Sequence, residues 1–301
     1  MNIAITGGTG FLGSLLTEHL LSKGHYVYIL TRNSEGRQNK DRLEHVEWLT
    51  ENAHPEKELQ NIDAFINLAG ASINQRWTPS AKRKILQSRI EATQETYRIM
   101  KALDPTPSVL INASAVGYYG TSKTEVFTEE NGPAEQNFLQ KVCDRWEQEA
   151  IKAEDLGVRT VRARFGIILS TEEGALPRMM LPYKLFAGGP VGSGKQWFSW
   201  IHVKDVINMI EFALENNHAS GPMNVTAPHP YRMKDFGKEL GKVMNRPHWA
   251  PAPAFALKTA LGEMSVLILE GQKVLPKQAE AWGYSFSYPE LRPALEDIVG
   301  K

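Results

Sequence analysis

Along the first half of the chain, short apolar runs alternate with longer stripes of helical spacing. Ile3, Ala4 and Ile5 form a run that suits a strand buried on both faces of a parallel sheet. Phe11, Leu12, Leu15, Leu16, Leu20 and Leu21 then recur at helical spacing, and Gly24 stands where a helix should stop. Tyr26–Arg32 reads as a second strand, and a short strand is expected near Val46–Leu49 within an otherwise polar stretch over 33–60. Asp63–Gly70 is another buried run. Ile85, Leu86, Ile90, Thr93, Tyr97, Met100 and Leu103 place a long helix over 79–103, closed by Pro105 and Pro107. Ser108–Ser114 is the next strand. Strand and helix in regular alternation predict an α/β fold with a doubly wound parallel sheet.

The second half is less regular. Val158–Leu169 reads as one strand running through Gly166, with Arg162 and Arg164 alternating with Val161 and Ala163. Residues 174–200 are rich in glycine and aromatic residues, and read as a mobile loop able to close over a ligand. Val206–Leu214 is a helix with Asp205 as its expected cap. Met223–Thr226 is a short strand, and Met233, Phe236, Leu240, Val243 and Met244 make a helical stripe. Three prolines stiffen residues 247–257, and the aromatic alternation over Trp282–Pro289 suits a strand. The division expected is 1–170 as a nucleotide-binding domain, rejoined by 200–228, with 171–301 supplying a loop and a small C-terminal α+β lobe.

Composition narrows the function classes. The 301 residues are 42% hydrophobic and 23% charged, ordinary for a globular chain with a sizeable core. Lys and Arg total 34, as do Asp and Glu, so no net field favours nucleic acid or an anionic membrane. Cys143 is the single cysteine, which excludes an intrachain disulfide and a cysteine-rich metal site. No metal-ligand spacing recurs, so no metal is expected. No signal-peptide pattern and no apolar run of about twenty residues is seen, and the expectation is a cytoplasmic protein.

Gly7, Gly10 and Gly13 sit between the first strand and the first helix. Gly7 permits the tight turn, Gly10 admits a phosphate close to backbone, and Gly13 allows helix and strand to pack. Free N–H groups at the helix start favour a pyrophosphate, so Gly7, Thr9, Gly10, Phe11, Leu12 and Gly13 are candidate cofactor residues. An acid at the end of the second strand would select NAD through the ribose 2′-hydroxyl. The chain instead reads Thr31-Arg32-Asn33-Ser34, and Arg32 can pair with a 2′-phosphate. NADP is therefore the expected cofactor, with Arg37 as a weaker second contact. Asn67-Leu68-Ala69-Gly70 ends a buried strand in small residues, so Leu68, Ala69 and Gly70 are expected beside the flat part of the ligand.

Together, Thr6–Gly13, Asn67–Gly70 and the turn from Ser114 to Tyr119-Gly120 resemble an extended short-chain dehydrogenase/reductase. Arg164–Leu169, Gly192–Val203, Asn224–Pro228, Arg246-Pro247 and Leu269–Pro276 resemble one atypical branch of it, usually labelled NAD-dependent epimerase family protein and sometimes cell-division-inhibitor-like or sugar-nucleotide-epimerase-like. The resemblance spans essentially the whole chain. It implies a Rossmann domain with a C-terminal substrate lobe, a small polar substrate such as a nucleotide sugar, and hydride exchange. It places Arg164 near the cofactor, although a structural ion pair is an equal reading, and it puts Gln196, Trp200 and His202 on the substrate side. A homodimer is left open.

The superfamily's acid–base unit is a strand-end Ser or Thr with Tyr-x-x-x-Lys on the next helix, the Lys lowering the Tyr pKa. Ser114 stands where the first belongs, with a strand-end serine that bonds backbone as an equal reading. Tyr97…Lys101 lies on the wrong helix and Tyr119…Lys123 in a turn. On the expected helix, Leu139 stands where Tyr should and Cys143 where Lys should, with Lys141 nearby. Two readings follow. Either the acid–base group is rebuilt from Tyr118, Tyr119 or Lys141, or the chain binds NADP without the usual turnover and acts through a protein partner.

Overall fold

The computed structural model describes residues 1–37, 39–133 and 137–300. The elements in chain order begin with β1 (Asn2–Thr6), α1 (Phe11–Ser22), β2 (Tyr26–Thr31), β3 (Leu43–Glu47), β4 (Ala64–Asn67), α2 (Pro79–Ala102) and β5 (Val109–Ala115). They continue with β6 (Val126–Phe127), α3 (Phe138–Ile151), β7 (Arg159–Phe165), β8 (Ile167–Leu169), α4 (Leu176–Lys184), β9 (Trp197–Phe198) and β10 (Trp200–His202). Next are α5 (Val203–Glu215), β11 (Gly221–Val225), β12 (Tyr231–Arg232), α6 (Met233–Val243), α7 (Ala254–Leu261) and α8 (Val266–Leu269). Last come β13 (Lys273–Val274), α9 (Lys277–Ala281) and α10 (Leu291–Val299).

Seven strands form one parallel sheet in the order β3-β2-β1-β4-β5-β7-β11. The order reverses between β1 and β4, which makes the crevice at their carboxyl ends the expected ligand site of an open α/β sheet. Alternation along β1 assigns its two faces. Ile3 and Ile5 pack with Leu16 and Leu20 of α1 and Val206 and Ile210 of α5. Ala4 faces the other way, toward Ala92 and Ile99 of α2. Both faces are therefore covered, which is why the strands read as continuous apolar runs.

The carboxyl ends are tied by a buried polar seam. Thr6 Oγ1 donates to Asn67 Oδ1 at 2.6 Å, and Asn67 Nδ2 donates to Asn112 Oδ1 at 2.6 Å and Thr93 Oγ1 at 3.0 Å. These bonds join β1, β4, β5 and α2 where buried polar atoms must find partners.

Several segments differ from the pattern-based expectation. The run 158–169 breaks at Gly166: β7 joins the main sheet, while β8 leaves it to pair with β10. A Cβ on Gly166 would lie 2.6 Å from the Ser199 carbonyl, so the crossing backbones require glycine there. The stretch 174–200 is not an open loop. It holds α4 and β9, whose Leu176, Met180 and Phe198 build a second core with Trp200, Phe236 and Leu291. The cap of α5 is His202, whose Nδ1 accepts from the Lys204 N–H, and not Asp205. Residues 282–289 form no strand. The fully buried Asp205 carboxylate instead accepts from the Tyr284 hydroxyl and from the amides of Ser287 and Tyr288, at 2.8–2.9 Å, and fastens this segment to α5. The aromatic alternation there reflects packing on a helix.

Candidate functional site

The first βα turn has the form a pyrophosphate needs. Gly7 is left-handed, with φ +71°, and its backbone lies against Leu68: an added Cβ would sit 2.8 Å from the Leu68 carbonyl carbon. At Gly13 a Cβ would lie 2.2 Å from the Gly7 carbonyl oxygen. At Gly10, the N-cap of α1, a Cβ would meet only the Gly7 oxygen at 3.3 Å, so this position opens toward the crevice. No side chain caps α1, which leaves its amide end free for an anion. Thr9 is exposed there, Phe11 and Leu12 are half-buried on the first turn, and Leu68 and Ala69 are half-buried on the facing loop beside the exposed Gly70. At the end of β2, Arg32 is exposed and has no ion-pair partner among the described residues. Thr31 and Asn33 shape this loop through bonds from Thr31 Oγ1 to the Asn33 carbonyl and from the Glu35 amide to Asn33 Oδ1. A nicotinamide dinucleotide fits these residues: the glycine cradle and free helix end suit its pyrophosphate.

Next to this crevice lies a buried charged network. Ser114, Arg164 and Asn224 form one cross-strand row on β5, β7 and β11. Arg164 donates through Nε and Nη2 to the two oxygens of Glu147 on α3, both at 2.8 Å. Ser114 Oγ donates to Glu147 Oε1 at 2.7 Å. Arg164 Nη1 donates to the Tyr119 hydroxyl at 2.7 Å, and Tyr119 donates to Asn224 Oδ1 at 2.8 Å. Arg162 approaches the same carboxylate at 3.7 Å. Burial works against the Arg164 charge, but Glu147 outweighs it and raises the guanidinium above its ordinary range. Burial pushes the Tyr119 hydroxyl up to about 12.

The structure thus brings Ser114, Tyr119 and Arg164 together, but engages all three with one another through Glu147 and Asn224. Tyr119 is fully buried, and Arg164 points its guanidinium at Glu147, Tyr119 and the Tyr118 ring. Lys141 is not part of this grouping. Leu139, Cys143 and Glu147 follow at four-residue spacing on one face of α3, and a residue two positions off that stripe lies on the opposite side. Lys141 is accordingly exposed. Leu139 and Cys143 face the turn after β5: a Cβ on Gly117 would lie 3.4 Å from Leu139 Cβ and 3.7 Å from Cys143 Sγ. The Cys143 thiol is buried, which pushes it up to about 12 and disfavours the thiolate form a nucleophile needs.

The three residues expected on the substrate side are buried and bonded within the protein. Gln196 donates to the carbonyls of Val191 and Ile268, Trp200 donates to the His229 carbonyl, and His202 caps α5 with its ring 3.9 Å from that of Tyr288. They join the C-terminal lobe to the sheet domain. Burial lowers the His202 imidazole to about 4.

Other groups carry no sequence motif. Tyr118 is half-buried on the turn after β5, with the Arg164 guanidinium 3.7 Å from its ring centre, and its hydroxyl makes no hydrogen bond among the described residues. Arg89 of α2 lies under the loop after β4. Its Nη1 donates to the carbonyls of Ala71 and Ile85, and burial lowers its pKa. The only advance signal for the polar seam was Thr6, Asn67 and Asn112 interrupting apolar strands near their ends. No helix among the described residues is long and apolar enough to cross a membrane.

The sheet order, the glycine turn and the crevice define an open, doubly wound α/β protein of a known class: the chain belongs to the NAD dependent epimerase/dehydratase family, whose profile matches residues 3–226. A second profile, a domain of unknown function numbered 1731, matches residues 252–298. The epimerase family protein YfhF of Bacillus subtilis (strain 168) is 52% identical over 299 residues, covering 99% of this chain and 98% of its own. The crystal structure of the human epimerase family protein SDR39U1 (isoform 2) with NADPH superposes with a TM-score of 0.88 at 31% identity, over 100% of this chain and 99% of that one. The UDP-glucuronic acid 4-epimerase of Bacillus cereus shares the fold, with a TM-score of 0.80 at 18% identity over 99% and 98% of the two chains.

Proposed function

We propose that this protein is an NADP(H)-dependent oxidoreductase or epimerase-like enzyme acting on a small molecule that bears a carbonyl or hydroxyl. The observation that carries the reading is the glycine cradle at the switch point together with an exposed Arg32 at the tip of β2 that has no ion-pair partner among the described residues. The NADPH in the human relative supports the same choice. When bound, a nicotinamide dinucleotide supplies a hydride donor or acceptor. The residues of the chain then bind, orient and move the proton. Gly7, Gly10 and Gly13 admit the pyrophosphate, and Arg32 holds the 2′-phosphate. Tyr118 is the hydroxyl on the turn after β5 that has no hydrogen bond among the described residues, so it takes the proton-transfer role that Leu139 cannot fill. Arg164, stacked on its ring, favours the phenolate through its positive charge, opposing the upward push of burial.

Calorimetric titration tests the cofactor assignment: NADPH should bind at least tenfold more tightly than NADH, and Arg32→Asp should abolish or reverse that preference. Equal affinity of the native chain for both would overturn it. Turnover is tested by following NADPH absorbance with a panel of carbonyl compounds, where Tyr118→Phe should lower kcat by at least tenfold.

A second reading is favoured by the hydrophobic Leu139 and protonated Cys143 in place of the usual dyad, and by the engaged Ser114 and Tyr119 hydroxyls. In it the chain binds NADP(H) without turnover and signals the cofactor's redox state to a protein partner, cell division being one setting. It predicts NADPH-dependent association with a partner, and silence throughout the carbonyl panel.

A further inference from the structure

Beside the turn after β5 lies a cavity of about 290 Å³ between the start of α3 and the α7–α8 segment. Trp77, Phe138, Leu139, Val266 and Leu269 form its apolar wall. Trp77 and Phe138 meet edge to face with ring centres 5.2 Å apart, and the Trp77 indole already donates to the Ile73 carbonyl. That wall therefore offers no unsatisfied donor. Leu139 both lines the cavity and faces Gly117, so the cavity adjoins the crevice at the position where the superfamily carries its acid–base tyrosine.

The polar rim is poorly suited to a diphosphate. Among the described residues, Lys258 is the one cation lining the cavity, against the carboxylates of Glu263 and Glu270. Glu263 is paired with Lys82, and Glu270 accepts from Thr121 Oγ1. Asn137 Oδ1 accepts from the Gln140 amide and so occupies part of the helix end that would otherwise attract an anion. Diphosphates are held by convergent arginines or several free amides, and the described residues of this rim include no arginine. The volume also lies just below the roughly 300–1,000 Å³ usual for small-molecule sites. Neither α7 nor α8 contains a fully buried residue, so the wall they form is lightly packed and can part to admit a ligand.

We infer that the substrate is a compact, apolar, ring-bearing ketone or alcohol that seats its ring between Trp77, Phe138 and Leu269, and not a nucleotide sugar. This rests on the cofactor reading above and narrows its substrate class. The ring displaces water from the apolar wall, while the oxygen points past Leu139 to the turn that carries Tyr118.

Binding to the full-length protein saturated with NADPH tests the assignment, with 2-acetylnaphthalene and UDP-glucose as probes and calorimetry and thermal shift as readouts. 2-Acetylnaphthalene should bind at least tenfold more tightly than UDP-glucose. Leu269→Lys should weaken it at least tenfold while leaving the NADPH titration unchanged. If Leu269→Lys does not fold, judged by circular dichroism, Val266→Lys at the half-buried neighbouring wall serves the same purpose. Tighter binding of UDP-glucose, or binding of neither probe to an NADPH-loaded protein, would overturn the substrate class and leave the cofactor reading standing. Failure to bind NADPH at all would overturn both.

Discussion

Glu147 is the residue on which the carboxyl ends of β5 and β7 converge. It is nearly fully buried, yet its two oxygens accept from Ser114 and twice from Arg164. A buried charge pair of this kind is costly to halve, because the remaining partner is left without compensation. Glu147→Gln should therefore destabilise the fold by about 3–5 kcal/mol in urea unfolding, by analogy with other broken buried pairs. The double replacement Glu147→Leu with Arg164→Met should cost less than the sum of the two single changes. His202 makes a different prediction. Its folded pKa of about 4 lies below the ordinary 6.5, so the unfolded chain binds the extra proton between these values. Its contribution to stability is complete above about pH 6.5 and is lost as pH falls toward 4. His202→Asn keeps a capping side chain without the titration and should flatten the unfolding free energy across that window.

At the scale of elements, the glycine turn separates packing from binding. Gly13 is required by the fold, since a Cβ there would overlap the Gly7 carbonyl, whereas Gly10 is crowded only by one oxygen at 3.3 Å. Gly13→Ala should lower the melting temperature and NADPH affinity together. Gly10→Ala should leave the melting temperature within a few degrees and still reduce NADPH affinity at least tenfold, as measured by calorimetry, because the added methyl occupies phosphate space. Asp205 serves a comparable function at the other end of the chain. Its carboxylate accepts from three donors of the 284–288 segment, and charge-assisted bonds of this kind each contribute about 1.5–3 kcal/mol. Asp205→Ala should release that segment, seen as faster amide exchange at Ser287 and Tyr288 than elsewhere in the lobe.

Across the whole molecule, the legible part was the part ruled by periodicity. The β1–turn–α1 unit, β4, α2 and β5 could all be read because their apolar spacing matches their geometry, and their order implied the parallel sheet. The C-terminal lobe was harder because its elements are short and held by tertiary contacts. β8 leaves the main sheet after Gly166 to pair with β10, a turn that the close Gly166–Ser199 crossing imposes, and α4 was hidden in a glycine-rich stretch. Among the candidate site residues, the glycines and Arg32 are visible because backbone freedom and charge are properties of a residue type. The Glu147 network and the cavity beside Leu139 depend on which faces of α3 and α7–α8 meet, and no local pattern encodes that. Cys143 has a practical consequence at this scale. A lone thiol sealed between α3 and the turn after β5 is a native gauge of breathing at the crevice. Its labelling by a disulfide reagent reports how often that seam parts, without any engineered probe, and occupancy of the adjoining groove by coenzyme should slow the reaction.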